Sequence, residues 1–554
     1  MSKKRKAKTE GPRIGSRQAL SILGSPQLVA VILIAVIVFV VAVRIRLLEI
    51  PLERDEGEFG YMGQLILQGG PLYSAAYNMK LPGIYAVYAL IMLLFGQSTA
   101  GIRLGLMLAN VGTILLMFVL ARRLFGSFVG VMAAASYAVM SLSPRTLGLA
   151  GHATHFVVLC ALGGLVLLLK ATENSRWTTL FWSGLLLGLG FTMKQCGAYF
   201  VLFGLAYLAW SLLSKRPIAG GKVIGRLVVF AVSSAIPLLL SCLAALLMGE
   251  FDKFWFWTVK FPSEYGSLTL REGWANLKFI IGPTIGHNMW LWLLGGIGLT
   301  AVVWSRKVRS HWSFLTGFLV FSALSVSSSL YFRDHYFIVI LPAISLLASV
   351  AVACIGDLIS QSNLPTYVSG IPVVAFVFAV GYPVAMQKDI FFTMTPAQVC
   401  RFTYGTNPFP EFVEIAKYIR EHTNPGDKIA VLGSEAELYF YTRRRAATSY
   451  IYTYSLVRPQ KYARRMQEEM IRQIESAKPK YIVFCGVVTS WLVHPKAEKK
   501  LLDWIPYYID RHYDMVGLVD IFGNDLTDYY WDDDALGRSP SSPSFVTVFK
   551  RKPV

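Results

Sequence analysis

The sequence predicts a polytopic α-helical membrane protein of about eleven transmembrane helices with outer juxtamembrane helices, followed by a small C-terminal α/β domain. Three observations predict it. The 554 residues are 54% hydrophobic and only 16% charged, a balance typical of membrane proteins rather than soluble domains. Eleven apolar runs approach the roughly 20 residues needed to cross about 30 Å of hydrocarbon. The Lys and Arg behind the formal net charge of +20 sit in short clusters between those runs. That spacing reads as membrane topology and excludes a nucleic-acid partner, which would call for one aromatic-laced basic patch.

Residues 1–27, opening MSKKRKAKTE, form a basic cytoplasmic tail. On a multi-spanning chain KKRKAK reads as topogenic charge in preference to a nuclear-localisation signal. The apolar run behind it lacks a small-residue cleavage site and is expected to remain as the first helix. The spans are expected at 28–43, 102–120, 128–142, 156–169, 177–193, 199–213, 227–248, 288–304, 314–330, 337–355 and 367–386. Arg122–Arg123, Lys170 with Arg176, Lys215–Arg216 with Lys222 and Arg226, and Arg306–Lys307 with Arg309 occupy alternate connections, on the cytoplasmic side. The alternation requires that 84–95 not cross. At 1.5 Å per residue that run reaches about 18 Å, so it is expected to lie in the outer interface. The membrane region is thus 28–386, with outer loops 44–101 and 249–287, and 387–554 is an extracytoplasmic domain.

In that domain FPEFVEIAKYIREH reads as an amphipathic helix, Asn-Pro-Gly-Asp as a turn, and Lys428–Leu432 as a strand before a helix starting at Ser434. A charged helix at 459–477 and a strand from Tyr481 follow, and this alternation predicts a parallel sheet. YYWDDD reads as a solvated acidic loop in preference to a calcium site. Cys400 and Cys485 lie outside the spans, where pairing is open to them. No internal repeat is evident.

The chemistry concentrates in the first outer loop, PLERDEGEFGYMGQLILQGG. Asp55 and Glu56 are candidate catalytic carboxylates. As neighbours they diverge by about 100° on a helix or 180° on a strand, so they cannot face each other across one substrate as a glycosidase requires. One carboxylate suffices for a transfer whose leaving group is a phosphate, since only the acceptor hydroxyl then needs a base. Topology does not call for Lys80, Arg145, Lys194, Lys260 and Arg333 on the outer side. Lys80, Lys194 and Arg333 are candidate phosphate ligands, with snorkelling to lipid headgroups as the rival reading. Arg145, His152, His155 and His335 are candidate substrate-pocket residues. His152 and His155 share a helix face, and His335, His287, Asp334 or Glu264 are available to complete a divalent metal site with them, but a hydrogen-bonding role is preferred and no cofactor is assigned. FDKFWFWTVKFPSEY suggests either a sugar-stacking platform or, preferred, an interfacial aromatic belt.

The order of basic tail, first span, outer Asp-Glu pair, YMGQLILQGG, NMKLPG, interfacial helix and a span ending ARRLFG resembles the GT-C polyprenyl-phosphate-sugar glycosyltransferases, in particular the bacterial family-39-like group that includes aminoarabinose transferases and relatives of protein O-mannosyltransferases. The resemblance is most specific over 51–126. It implies that Asp55 is the base or acceptor-orienting carboxylate and that Lys80, in Lys80-Leu81-Pro82, contacts the lipid phosphate. Glu58 stands where aminoarabinose transferases have Arg, and Met79 where they have Glu. Those two roles are therefore not carried over, and the transferred sugar is not expected to be aminoarabinose. The implied function is inverting transfer of a hexosyl or pentosyl group from a polyprenyl-phosphate sugar donor to a lipid, glycan or protein acceptor, on the outer face of a bacterial cytoplasmic membrane. A lipid or polysaccharide transporter or flippase is the alternative. It calls for ionisable groups at mid-membrane and matching inverted halves, and neither is visible. A non-catalytic envelope scaffold is a third reading.

Overall fold

The computed structural model describes residues 25–214, 220–265, 268–362, 364–523 and 526–553. Most of the basic tail, and Lys215 and Arg216, lie outside the described residues. Each of the eleven apolar runs forms a helix. Among the described residues seven helices are long and apolar enough to cross a membrane, including Pro26–Arg46, Thr99–Phe125 and Leu341–Gln361. The other four, Ser127–Met140, Trp177–Met193, Met289–Trp304 and Trp312–Ser327, are shorter. Two of these stop where polar residues of the cavity described below begin. Trp177–Met193 ends at Lys194, whose backbone is extended, and Trp312–Ser327 is followed by the irregular segment leading to Arg333 and His335. The run expected at 84–95 is the helix Gly83–Phe95, which buries Ile84, Tyr85 and Tyr88 and exposes Leu90, Leu93 and Leu94.

The helix Thr99–Phe125 relates the two ends of the bundle. Arg103 lies beside the first outer loop, and Arg123, twenty residues on, is about 30 Å away along the axis. At that far end Arg123 pairs with Glu173, Lys307 donates to the Phe125 carbonyl and Arg226 donates to the Ala171 carbonyl. The alternate basic connections therefore gather at the end opposite the acidic loop.

The C-terminal region forms one six-stranded sheet in the order β2-β1-β3-β6-β4-β5, with β1 Lys428–Leu432, β2 Arg445–Ala446, β3 Tyr481–Gly486, β4 Tyr513–Ile521, β5 Thr527–Trp531 and β6 Phe545–Arg551. The expected parallel pairing holds for β1 with β2 and with β3. The sheet as a whole is mixed, because β6 and β4 add in antiparallel sense. The YYW of YYWDDD belongs to edge strand β5, and the three aspartates form an exposed turn. The helix expected from Ser434 begins at Glu437, after a turn in which Ser434 and Glu435 are buried. Cys400 and Cys485 are buried free thiols.

This sheet domain is seated directly on the first outer helix, Arg54–Leu67. The helix Glu437–Thr442 crosses it at Gly57 and Gly60, where a Cβ on Gly57 would stand 2.4 Å from the Glu437 backbone and one on Gly60 2.8 Å from the Phe440 ring. Arg54 donates to Glu435 (2.9 Å), Gln64 to the Phe440 carbonyl (3.2 Å) and the Leu52 amide to the Tyr441 hydroxyl (2.7 Å). Gly57→Ala is expected to cost about 1–3 kcal/mol through overpacking and to loosen the domain, read as a lower Tm and faster proteolysis in the 393–408 connection.

Glu437 has both carboxylate oxygens buried without a hydrogen-bond partner, and burial, reinforced by Glu435, pushes its carboxyl well above the usual range. A carboxyl raised in the folded state costs stability as pH climbs from the unfolded value of about 4.3 towards the folded one. Glu437→Gln should therefore raise Tm at pH 7–8, with the gain shrinking as pH falls and disappearing below about 4.

Candidate functional site

The first outer helix begins with a capping box. The Glu53 carboxylate accepts from the Glu56 amide at 3.0 Å, and Glu56 Oε2 faces the Glu53 amide at 3.4 Å. Four positions near the start of this helix then diverge. Glu56, fully buried, points inward and accepts two hydrogen bonds from Arg103, Nη1 to Oε1 at 2.5 Å and Nη2 to Oε2 at 2.8 Å. It also accepts from the Gly151 amide at 2.5 Å. Arg103 further donates to the Leu149 carbonyl (2.5 Å). The catalytic expectation for Glu56 therefore does not hold: its oxygens are committed to the framework and it does not line the cavity.

Asp55, one position earlier and about 100° around, faces a cavity of about 520 Å³ between the helix bundle and the sheet domain, as do Lys80, His152, Lys194, Arg333 and His335. Asp55 Oδ1 accepts from Lys80 Nζ and from the Tyr452 hydroxyl, both at 3.1 Å. Lys80 also donates to Glu58 Oε2 at 2.8 Å, and Glu58 Oε1 accepts from Tyr85 at 2.9 Å. Burial opposes ionisation of Asp55, but Lys80, with His152 and His335, holds its carboxyl well below the usual carboxylate range. Burial likewise opposes the Lys80 charge, and the two carboxylates overcome it, raising Lys80 above the usual lysine value. Burial, reinforced by Asp55 and Glu56 and opposed by His152, pushes Glu53 up to about 7.

Asp55 Oδ2 faces the other side of the cavity. His152 Nδ1 lies 3.5 Å from it and His335 Nε2 3.9 Å, and the two imidazoles stack at 4.0 Å with 7° between their planes. One ligand atom from each of the three residues falls within 4.8 Å of the others. His152 Nδ1 is turned to Asp55, whose carboxyl it helps to hold down, and Nε2 is buried without a hydrogen-bond partner. Burial, with His152 and Lys194 nearby, lowers the His335 imidazole well below its usual range, leaving it neutral. A neutral imidazole is the form that binds a metal.

Lys194 lies over the Tyr336 ring at 3.9 Å, and among the described residues neither Lys194 nor Arg333 forms an ion pair with a carboxylate. Two expected pocket residues fall elsewhere. Arg145 is exposed, with its guanidinium 5.9 Å from the Phe402 ring. His155 is buried one helical turn below His152 and does not line the cavity. Glu58, to which the sequence assigned no role, and Tyr452 reach the Asp55–Lys80 corner. Glu58 follows Asp55 by three residues, a spacing that shares one face on a helix. Nothing local marks Tyr452, which arrives from the sheet domain.

A helix bundle with a carboxylate-bearing cavity roofed by a C-terminal domain is a GT-C architecture, and comparison with known proteins agrees. Residues 80–240 match the family model for dolichyl-phosphate-mannose-protein mannosyltransferase. No curated protein matches the chain by sequence. Among solved structures, ArnT from Cupriavidus metallidurans bound to undecaprenyl phosphate superposes with a TM-score of 0.59 at 16% identity, covering 95% of this chain and 98% of that one. The archaeal oligosaccharyltransferase AglB from Archaeoglobus fulgidus, in complex with an inhibitory peptide and a dolichol-phosphate, gives 0.52 at 13% identity, covering 91% and 74%. An Archaeoglobus fulgidus oligosaccharyltransferase in complex with Zn and sulfate gives 0.53 at 13% identity, covering 94% and 75%. The chain has the fold of the GT-C superfamily of polyprenyl-phosphate-sugar glycosyltransferases.

Proposed function

We propose that the protein is an inverting membrane glycosyltransferase that moves a hexosyl or pentosyl group from a polyprenyl-phosphate donor to an acceptor hydroxyl on the outer face of a bacterial cytoplasmic membrane. The observation that carries this reading is the pairing, in one cavity, of a carboxylate at Asp55 with the cations Lys194 and Arg333, which form no ion pair with a carboxylate among the described residues. The family match over 80–240 and the undecaprenyl phosphate and dolichol-phosphate held by the similar structures support the donor class. The basic connections, about 30 Å from the cavity at the other end of the bundle, support the outer-face assignment through the positive-inside rule.

The donor phosphate is held by Lys194 and Arg333, with the third N–H of Lys80 available to it; the other two bond Asp55 and Glu58. Asp55 accepts the proton of the acceptor hydroxyl as its oxygen attacks the anomeric carbon. The bond from that carbon to the phosphate oxygen breaks, and its electron pair leaves with the phosphate. Because the phosphate departs as a stable anion, no general acid is needed. A phosphate drawn to Lys80 competes with Asp55 for the ammonium, so donor binding makes Asp55 a stronger base.

Asp55, His152 and His335 also fit a divalent cation of the zinc class. They supply one carboxylate oxygen and two imidazoles, and the buried Nε2 of His152 has no hydrogen-bond partner. When bound, such an ion would stabilise negative charge on the phosphate.

Removing a positioned base costs about 10²–10⁴ in rate. With purified protein in nanodiscs and a polyprenyl-phosphate sugar, Asp55→Asn should lose turnover by that factor while still binding the donor, and turnover within about threefold of wild type would refute the mechanism. Lys194→Ala and Arg333→Ala should raise the donor KM more than they lower kcat. For the cation, elemental analysis by mass spectrometry after equilibration with zinc should find bound metal in the wild type and none in His152→Ala. Equal metal content in both would remove the assignment.

A further inference from the structure

A second cavity, of about 270 Å³, adjoins the first and shares Tyr77, Trp257 and Tyr450 with it. Its remaining wall includes Phe256 from the aromatic segment of the second outer loop, and Tyr462 and Glu469 from the sheet domain. The aromatic belt preferred from sequence accounts for only part of this segment. Trp255 and Val259 are exposed, whereas Phe254, Trp257 and Phe261 are buried and turned into the protein. The tyrosine-tryptophan wall is ordered by its own contacts. Tyr77 stacks on Trp257 at 4.7 Å and 23°, and Tyr450 meets Tyr77 edge-on at 4.9 Å. Glu469 fixes both tyrosines by accepting from Tyr77 at 2.7 Å and Tyr450 at 3.0 Å. Phe256 meets Tyr462 edge-on at 5.2 Å.

We infer that this second cavity binds the acceptor, and that the acceptor is a saccharide, resting on the transferase reading above. Three features point to that chemistry. Flat aromatic walls with polar rims suit the apolar faces and hydroxyl edges of a pyranose ring. The charged groups at the cavity, Asp252 and Glu469 against Lys253 and Arg465, balance in sign. That supplies donors and acceptors to a neutral polyol, where a phosphate or a polyanion would call for cations alone. The volume of about 270 Å³ falls just below the roughly 300–1,000 Å³ common for small-molecule pockets, which suits a terminal sugar and not a folded polypeptide.

The chain itself joins this cavity to the reactive corner twice. Tyr77 is three residues from Lys80, at most about 11 Å along an extended backbone, and Tyr450 is two residues from Tyr452, whose hydroxyl bonds Asp55. A sugar held between the aromatic walls therefore presents a hydroxyl towards Asp55 while the donor occupies the larger cavity. The sheet domain contributes half of this recognition surface.

The test uses full-length protein in nanodiscs and four trisaccharide probes, maltotriose, cellotriose, mannotriose and chitotriose, followed by saturation-transfer NMR and tryptophan fluorescence. At least one should bind saturably to the wild type and to Asp55→Asn. Phe256→Ala and Tyr462→Ala, which touch only the second cavity, should weaken binding by about tenfold or more while still binding undecaprenyl phosphate. Retained melting temperature and retained lipid binding separate a lost subsite from a misfolded variant. Absence of saturable binding for all four probes, binding unaffected by both variants, or displacement of the probe by a serine- and threonine-rich peptide would overturn the assignment. If the wild type consumes a polyprenyl-phosphate sugar yet fails these binding criteria, the acceptor inference falls and the transferase reading stands. Binding that follows the predicted pattern without donor consumption supports the saccharide site and removes the transferase reading.

Discussion

The geometry around Asp55 depends on a buried ion pair that does not itself line the cavity. Glu56 and Arg103 lie in a region with almost no solvent access, where an unpaired charge is costly and loss of one partner is worth about 3–5 kcal/mol. The pair needs the Gly151 amide and the Leu149 carbonyl to close on it as well. That requirement ties three segments together: the start of the first outer helix, the start of Thr99–Phe125, and the loop before Ala153–Asn174. Asp55 is the neighbour of Glu56, and His152 is the neighbour of Gly151. One clamp therefore sets the positions of both groups, although they are almost a hundred residues apart. Gly151 permits the approach, since a Cβ there would stand 2.4 Å from the Tyr88 hydroxyl.

Around that clamp the charges are arranged in two tiers. Close to the helix, Lys80 is shared by Asp55 and Glu58, which keeps Asp55 ionised in spite of burial. Further out, Lys194 and Arg333 form no ion pair with a carboxylate among the described residues, although Asp334 shares the cavity and feels the Arg333 charge. Glu58, by sharing Lys80 with Asp55, moves the inner corner towards neutrality.

Much of this was legible in the sequence, and the limits are physical. Hydropathy located all eleven helices because their apolar faces must meet lipid or one another, and Trp177–Met193 agrees with the expectation to the residue. β1 and the onset of β3 were legible for the same reason, as short apolar runs between turns. The antiparallel half of the sheet was not, because β5 is a half-exposed edge strand whose Asp and Tyr residues read as loop. In the site, Asp55, Lys80 and the cations could be named from charge at a membrane boundary. The opposite fates of Asp55 and Glu56 could not, since adjacent carboxylates look alike until a partner for one is found, and that partner, Arg103, sits at the head of a span. His152 could be singled out, but its stacking on His335 depends on a contact spanning 183 positions.

The sheet domain, least informative in sequence, carries a large share of the site. Its helix Glu437–Thr442 can lie against the first outer helix only because residues 57 and 60 have no side chains, so the domain is seated to within a fraction of a methyl group. That seating brings Tyr452 to Asp55 and Tyr450 to Tyr77. A bundle alone offers one wall of a cavity open to water, where a carboxylate beside a lysine is well solvated and weakly directed. With the domain in place the same pair is mostly enclosed, with the Asp55 side chain 23% exposed and that of Lys80 20%, and the lower dielectric makes each charge felt by its neighbours. The roof therefore acts in two ways at once, screening the Asp55–Lys80 pair from water and supplying part of the aromatic wall of the second cavity.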